Sequence, residues 1–342
     1  MNRLPLPLAH LRGPLTGPLI DTWGRRHNNL RISVTDRCNL RCTYCMPEEV
    51  VFRPRHELLT FEEITHFVRV ARTLGIDKVR LTGGEPLLRR GLSDLVAQLL
   101  AVPGLRDVSL TTNGLLLAQQ AADLHAAGLR RLNVSLDTLD EARFRQIARR
   151  PGLANVLTGL ATARAVGLAI KVNAIAMRGV NDADIVPLAH FCRTHGFELR
   201  FIEYMPIGAE AWERDRVWPA DELLALLAAE VGALVPVVPD DPHAPATDYA
   251  YADGQGRVGV IASVSRPFCT ACNRVRLTAE GKLRNCLFAR EEVDVRPFLR
   301  DQPDDVALAQ AIRANVWAKW AGHDFNTADF VKPERTMHAI GG

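Results

Sequence analysis

Between residues 30 and 206, short apolar strands alternate with amphipathic helices, and this alternation narrows the possible folds more than any other feature. Strands are expected at 30–34, 78–82, 108–112, 132–136, 170–174 and 198–204. Helices fall between them, for example at 61–74, 92–100, 116–127 and 184–195. Repeated βα units build a parallel sheet with helices outside. Six units are too few for a complete eight-stranded barrel and suit an open one, so the expected class is α/β with a partial (β/α)6 barrel. A helix at 220–230 then leads into a Pro-rich stretch, 235–245, which marks the domain boundary. The expected organisation is an N-terminal extension at 1–20, a barrel at 21–234 and a smaller α+β domain at 235–342 that closes it.

The segments after the strands carry unusual residues. They include Cys38 to Cys45, Gly83-Gly84-Glu85-Pro86 and Thr111-Thr112-Asn113-Gly114. Active sites of such barrels lie at the C-terminal ends of the strands, so this placement fits catalysis. Six of the seven cysteines form two tight groups, which is metal-site usage rather than a disulfide framework. Cys192 stands apart on the apolar face of a helical pattern and reads as a small core residue. Cys38, Cys42 and Cys45 are spaced C-x3-C-x2-C. Three thiolates hold three corners of a [4Fe–4S] cluster and leave the fourth iron open for a small ligand. Cys269, Cys272 and Cys286 are spaced C-x2-C-x13-C and again lack an obvious fourth ligand. Structural zinc is the competing reading for both, with His243, His323 and His338 as distant ligands for the second group.

Basic residues recur within the strands. Arg31 shares a strand face with Ser33, Lys78 with Arg80, Lys171 with Asn173, and Arg274 with Arg276, while Arg200 sits in a mostly apolar strand. Taken singly, each reads as a solvated or snorkelling side chain. Several strands each bringing a cation inward is costly unless an anion meets them. Together they point to a polyphosphate pocket, because guanidinium forks bind phosphate oxygens in bidentate fashion. Periodicity alone does not say which face is inward. A net charge of +3 is too mild to argue for nucleic-acid binding. No apolar run has the length of a membrane span, and no signal-peptide pattern opens the chain, so a cytoplasmic protein working in reduced form is expected.

At these residues the sequence resembles one family. DTWGRRHNNLRISVTDRCNLRCTYCMP at 21–47, VRLTGGEPLLRR at 79–90, SLDTL at 135–139 and FIEYMPIG at 201–208 are similar to the molybdenum cofactor biosynthesis protein A family, the GTP 3′,8-cyclases of the radical S-adenosylmethionine (SAM) superfamily. CNRVRLTAEGKLRNCLF at 272–288 and the terminal Gly341-Gly342 complete the pattern. The first cysteine motif specifies the superfamily; the second cluster, the Arg pair and the diglycine end narrow it to the family.

The resemblance implies two [4Fe–4S] clusters, on Cys38, Cys42 and Cys45 and on Cys269, Cys272 and Cys286. It places Tyr44, Gly84, Glu85, Ser135 and Met205 at SAM. It places Arg31, Lys78, Arg80, Thr111, Lys171, Asn173, Arg200, Arg274, Val275 and Arg276 at GTP, with Arg274 and Arg276 as the catalytic pair. The implied chemistry is cleavage of SAM to a 5′-deoxyadenosyl radical, removal of hydrogen from ribose C3′ and attack on guanine C8. The implied partners are GTP, SAM, an electron donor, the next enzyme of the pathway and a second copy of the chain, with no membrane or nucleic acid. The diglycine tail is expected to reach the active site. The alternatives are a peptide-modifying radical SAM enzyme with an auxiliary cluster, and a non-catalytic metal-binding protein.

Overall fold

The computed structural model describes residues 13–14, 16–208, 211–300, 302–328 and 330–341. The six expected strands are present as β1 (Asn29–Ser33), β2 (Lys78–Thr82), β3 (Asp107–Thr112), β4 (Arg131–Ser135), β5 (Ala169–Ala176) and β6 (Glu198–Glu203). The helices that cover them are α1 (Phe61–Thr73), α2 (Leu92–Leu100), α3 (Leu117–Ala126), α4 (Glu141–Ala148), α5 (Leu153–Ala165), α6 (Ile185–His195) and α7 (Ala220–Glu230). The chain then forms β7 (Leu234–Pro236), β8 (Thr247–Tyr251), β9 (Arg257–Ile261), β10 (Arg274–Leu277), β11 (Lys282–Arg284) and β12 (Val293–Asp294), followed by α8 (Asp305–Trp317) and α9 (Met337–Ile340).

Local sequence explains where the first helix begins and which face it buries. Thr60 accepts a hydrogen bond from Glu63 N–H at 3.1 Å, and Glu63 Oε2 accepts one from Thr60 N–H at 2.7 Å, closing a reciprocal capping box. From there Ile64, Phe67, Val68 and Ala71 recur at helical spacing and are buried against the sheet. Cys192 is buried on α6, as its position in the pattern predicts.

One sheet runs through the whole molecule in the order β12-β11-β10-β1-β2-β3-β4-β5-β6-β9-β8-β7. The parallel part does not stop at six strands. β10 pairs in parallel with β1, and β9 in parallel with β6, so the later chain adds one parallel strand to each side of the first six. Antiparallel β11 and β12 extend one side, and β8 and β7 the other.

The two sheet faces have opposite chemistry. On the helix side, Leu30, Ile32, Val79, Leu81, Leu110, Leu132, Val134, Val172 and Phe201 are all at or below 1% exposure and form one apolar layer. The alternate residues face inward: Asn29, Arg31 and Ser33 on β1, Lys78, Arg80 and Thr82 on β2, Arg131, Asn133 and Ser135 on β4, and Lys171 and Asn173 on β5. The interior of such barrels is ordinarily packed with branched apolar side chains. Here it is polar and encloses space. At the N-terminal end, Leu19 is buried, accepts a bond from His27 N–H at 2.8 Å and donates to Leu74 O at 3.1 Å. Leu19 is thus tied to the body of the fold, while residues 1–12 lie outside the described residues.

Candidate active site

The inward faces of the strands enclose a chamber of about 680 Å³. Both cysteine groups open into it. The first follows β1, at the C-terminal ends of the parallel strands. Cys269 and Cys272 precede β10, and Cys286 follows the antiparallel β11, so the second group sits at the opposite ends. The inward basic residues of β1, β2 and β10 lie between the two.

Three guanidinium groups stand side by side there. Register places Arg31 beside Arg276 on one flank and beside Arg80 on the other. None of the three has a carboxylate partner among the described residues. Arg80 Nη1 reaches Thr111 Oγ1 at 3.4 Å, and Arg276 Nη1 donates to Gly341 O at 2.8 Å. Burial, together with repulsion from Arg276, Arg274 and Arg80, pulls Arg31 well below the ordinary guanidinium range. Burial likewise brings Arg80 and Arg276 down to about 10. Like charges directly opposite one another destabilise a sheet, so this row is costly until an anion enters it. Arg274 shares the inward face, donates to Cys272 Sγ at 3.4 Å and lies over the Phe268 ring.

The other expected cations are already paired. Lys78 is bonded to Asp241 at 2.5 Å, Lys171 to Glu198, and Arg200 to Asp248 at 3.2 Å. Thr111, Asn173, Ser135 and Met205 line the chamber. The Val275 side chain is 1% exposed and lies in the helix-side core, because it alternates with the two inward arginines.

The thiols suit the groups proposed for them. Burial pushes Cys38 up to about 11 and Cys45 up to about 12, and Cys42 well above its ordinary value; the Glu85 charge adds to the rise at Cys38, and neighbouring thiols add to it at Cys42 and Cys45. Three such thiols facing one space are stabilised as thiolates only by a cationic centre between them, which is what iron supplies. At the second group burial would also raise Cys272, but the Arg274 and Lys319 charges beside it hold it down at about 5. His243, an alternative ligand there, has Nδ1 bonded to Ala271 O at 2.9 Å, and the His323 ring stacks on Phe325 at 3.7 Å.

The Gly83-Gly84-Glu85 turn is packed against the first cysteine loop itself. Gly84 N–H donates to Thr35 O and Glu85 N–H to Arg37 O, both at 2.7 Å. A Cβ on Gly84 would lie 2.4 Å from Arg37 O, so glycine is required by a backbone-to-backbone approach. Glu85, which the resemblance places at SAM, also braces this turn. Its carboxylate accepts from Leu87 N–H at 3.0 Å, Thr112 Oγ1 at 2.7 Å and Asn113 N–H at 2.7 Å, and burial raises it to about 7. Tyr44 donates its hydroxyl to Asp137 at 2.7 Å.

Sequence reasoning missed Asp137, the Arg131–Asp107 pair, Asp241 and Lys319, all of which line the chamber. Arg131 and Asp107 share the inward parity of their strands, a signal the alternation already carried. Lys319 had none: it is buried beyond the end of α8, and its ammonium bonds to Arg274 O at 2.9 Å and to Asn285 O. At the C-terminus, Gly341 adopts φ +80° and approaches Thr82 and Ser33, while Gly342 lies outside the described residues.

Comparison with known proteins bears on this arrangement. Residues 32–192 match the Radical SAM superfamily, and residues 197–325 match Molybdenum Cofactor Synthesis C. A GTP 3′,8-cyclase of Rhodopirellula baltica is 49% identical over 95% of this chain and 92% of its own length. The chain belongs to the GTP 3′,8-cyclase family. A GTP 3′,8-cyclase of Mycolicibacterium smegmatis is 49% identical over 96% of this chain and 93% of its own. A GTP 3′,8-cyclase 2 of Mycobacterium tuberculosis is 48% identical over the same shares. Streptococcus suis SuiB bound to S-adenosylmethionine shares the fold, with a TM-score of 0.57 at 15% identity over 84% of this chain and 68% of that one. As a radical SAM family member, the chain takes a [4Fe–4S] cluster and SAM. No helix among the described residues is long and apolar enough to cross a membrane.

Proposed function

We propose that this chain converts GTP to 3′,8-cyclo-7,8-dihydro-GTP, an early step of molybdenum cofactor biosynthesis. The observation that carries the reading is the single chamber into which both thiol groups and the unpaired guanidinium row open. Cys38, Cys42 and Cys45 hold the first [4Fe–4S] cluster, with Tyr44, Gly84, Ser135 and Met205 around SAM. Cys269, Cys272 and Cys286 would hold a second [4Fe–4S] cluster, which would supply an open iron for the base. When bound, the first cluster and SAM would supply the radical that takes the C3′ hydrogen; ribose C3′ then bonds to guanine C8 as the C8–N7 double bond opens, and one electron from an outside donor with a proton at N7 completes the product.

The residues of the chain bind, orient and shield. Arg31, Arg80, Arg274 and Arg276 grip the triphosphate and hold the nucleotide between the two ends of the strands, with Thr111, Lys171, Asn173 and Arg200 around it. Orientation of this kind contributes a large share of a barrier reduction, because the reacting atoms are already near one another. Ile175, Ile202 and Met205 contribute apolar surface to the chamber wall. The reading further includes an outside electron donor, hand-over of the product to the next enzyme, a homodimer and a cytoplasmic location. It divides the chain near residue 235, with the barrel before it.

Metal content tests the ligand assignment. Anaerobically reconstituted protein should carry about eight irons per chain, by the stoichiometry of two cubane clusters. Cys42→Ala should abolish SAM cleavage and keep the second cluster's spectrum. Stoichiometric zinc in place of iron contradicts the assignment.

A further inference from the structure

Four inward cations each hold a carboxylate, and one of those carboxylates differs from the rest in where it stands. Arg131 is held by Asp107 of β3, Lys171 by Glu198 of β6 and Arg200 by Asp248 of β8. These three acids belong to strands of the sheet. Asp241 comes instead from the loop joining β7 to β8 and reaches across to Lys78 of β2. The loop carries Pro239, Pro242 and Pro245 and folds on Asp241 itself, whose Oδ1 accepts from His243 N–H at 2.9 Å. His243 Nδ1 then ties the loop to Ala271 O, between Cys269 and Cys272. The Lys78 and Asp241 side chains remain 25% and 31% exposed, so an entering anion has access to the pair.

Lys78 follows the guanidinium row along the same strand face. It lies two residues before Arg80, about 6.6–6.8 Å along the strand. A chain of phosphates lying on Arg31 and Arg80 extends to Lys78, whereas a single phosphate held by the arginines falls short of it. Two anions then compete for one ammonium: a single carboxylate charge on a loop, and a terminal phosphate of higher charge.

We propose that Asp241 is an internal counter-anion of Lys78 which the terminal phosphate of the nucleotide displaces, so that this loop sets how many phosphates a nucleotide needs to bind well. The proposal rests on GTP being the substrate. Without nucleotide, the carboxylate keeps Lys78 compensated and the loop drawn over the chamber. With it, the ammonium changes partner and the loop loses its hold on β2.

The test is GTP affinity of the anaerobically reconstituted holoenzyme, measured by equilibrium dialysis with and without Mg²⁺. Asp241→Asn keeps the side-chain shape and removes the competing charge, so GTP should bind about two- to fivefold more tightly, the scale of a partly exposed ion pair. In a Lys78→Met background the same substitution should change nothing. Unchanged GTP affinity overturns the proposal, as does a gain that persists without Lys78. Weaker binding that appears only with Mg²⁺ overturns it too, and makes Asp241 a holder of the nucleotide's cation. Wild-type holoenzyme that binds no GTP overturns the substrate reading together with the proposal, whereas normal wild-type binding without the gain overturns the proposal alone.

Discussion

At the scale of single residues, what a side chain does in this protein depends on whether its charge is already matched. Among the described residues, the half-buried Arg31 and Arg80 and the buried Arg276 stand side by side without a carboxylate, whereas Lys78, Lys171, Arg131 and Arg200 each have one. Unmatched buried charge is the stronger sign of a ligand, since it is costly in the empty protein. Arg276 is the most informative of the three, being only 6% exposed and bonded to the backbone of Gly341. Arg276→Ala should weaken GTP binding about tenfold to a hundredfold, the worth of a charge-assisted hydrogen bond of about 1.5–3 kcal/mol. Lys at the same position should restore only part of this, because it lacks the planar fork. Iron content should stay at the wild-type level in both variants, and unchanged GTP affinity would leave Arg276 a structural anchor for the tail. Glu85 teaches the converse. The family resemblance says only that this glutamate stands at SAM, and the structure adds that three protein donors use it to fasten the Thr112-Asn113 turn to the cysteine loop.

Elements were more legible than the contacts between them. The six strands before residue 206 stand within about two residues of their expected positions, because each is a short apolar run with a clear period. The inward face of each strand was not legible: Lys78-Val79-Arg80 gives the alternation, and only the sheet decides that Val79 meets the helices. Nor could the sequence reveal that β10 joins β1 in parallel, since the two are more than two hundred residues apart in the chain. That pairing brings Arg274 and Arg276 beside Asn29 and Arg31 and makes one row from two motifs. The glycine turn after β2 is the element on which the first cysteine loop leans. Gly84→Ala would drive a methyl group into the carbonyl of Arg37, one residue before Cys38. The atoms it would meet are backbone atoms of Asp36 and Arg37 rather than a flexible side chain, so a cost of about 1–3 kcal/mol is expected, on the scale of overpacking. The expected readout is loss of iron from the first cluster with the second retained; full iron at both sites and unchanged urea stability would show that the turn yields without consequence.

At the scale of the molecule, the fold separates two thiol groups to opposite ends of one set of parallel strands and leaves a polar chamber between them. The later part of the chain is integral to this arrangement: β9 and β10 continue the parallel sheet on either side, and Gly341 returns to Ser33, Thr82 and Arg276. In the proposed function, a substrate held by the arginine row is presented to chemistry at one end while its other part rests at the second. The central claim is that hydrogen leaves the ribose of GTP for the adenosyl group inside this chamber. It is tested most directly by anaerobic incubation of the reconstituted protein with SAM, a reductant and GTP carrying deuterium at C3′, followed by mass spectrometry of 5′-deoxyadenosine and of the nucleotide. The account predicts deuterium in 5′-deoxyadenosine and a cyclised nucleotide that has lost it. Deoxyadenosine formed without deuterium, beside unchanged GTP, would contradict it.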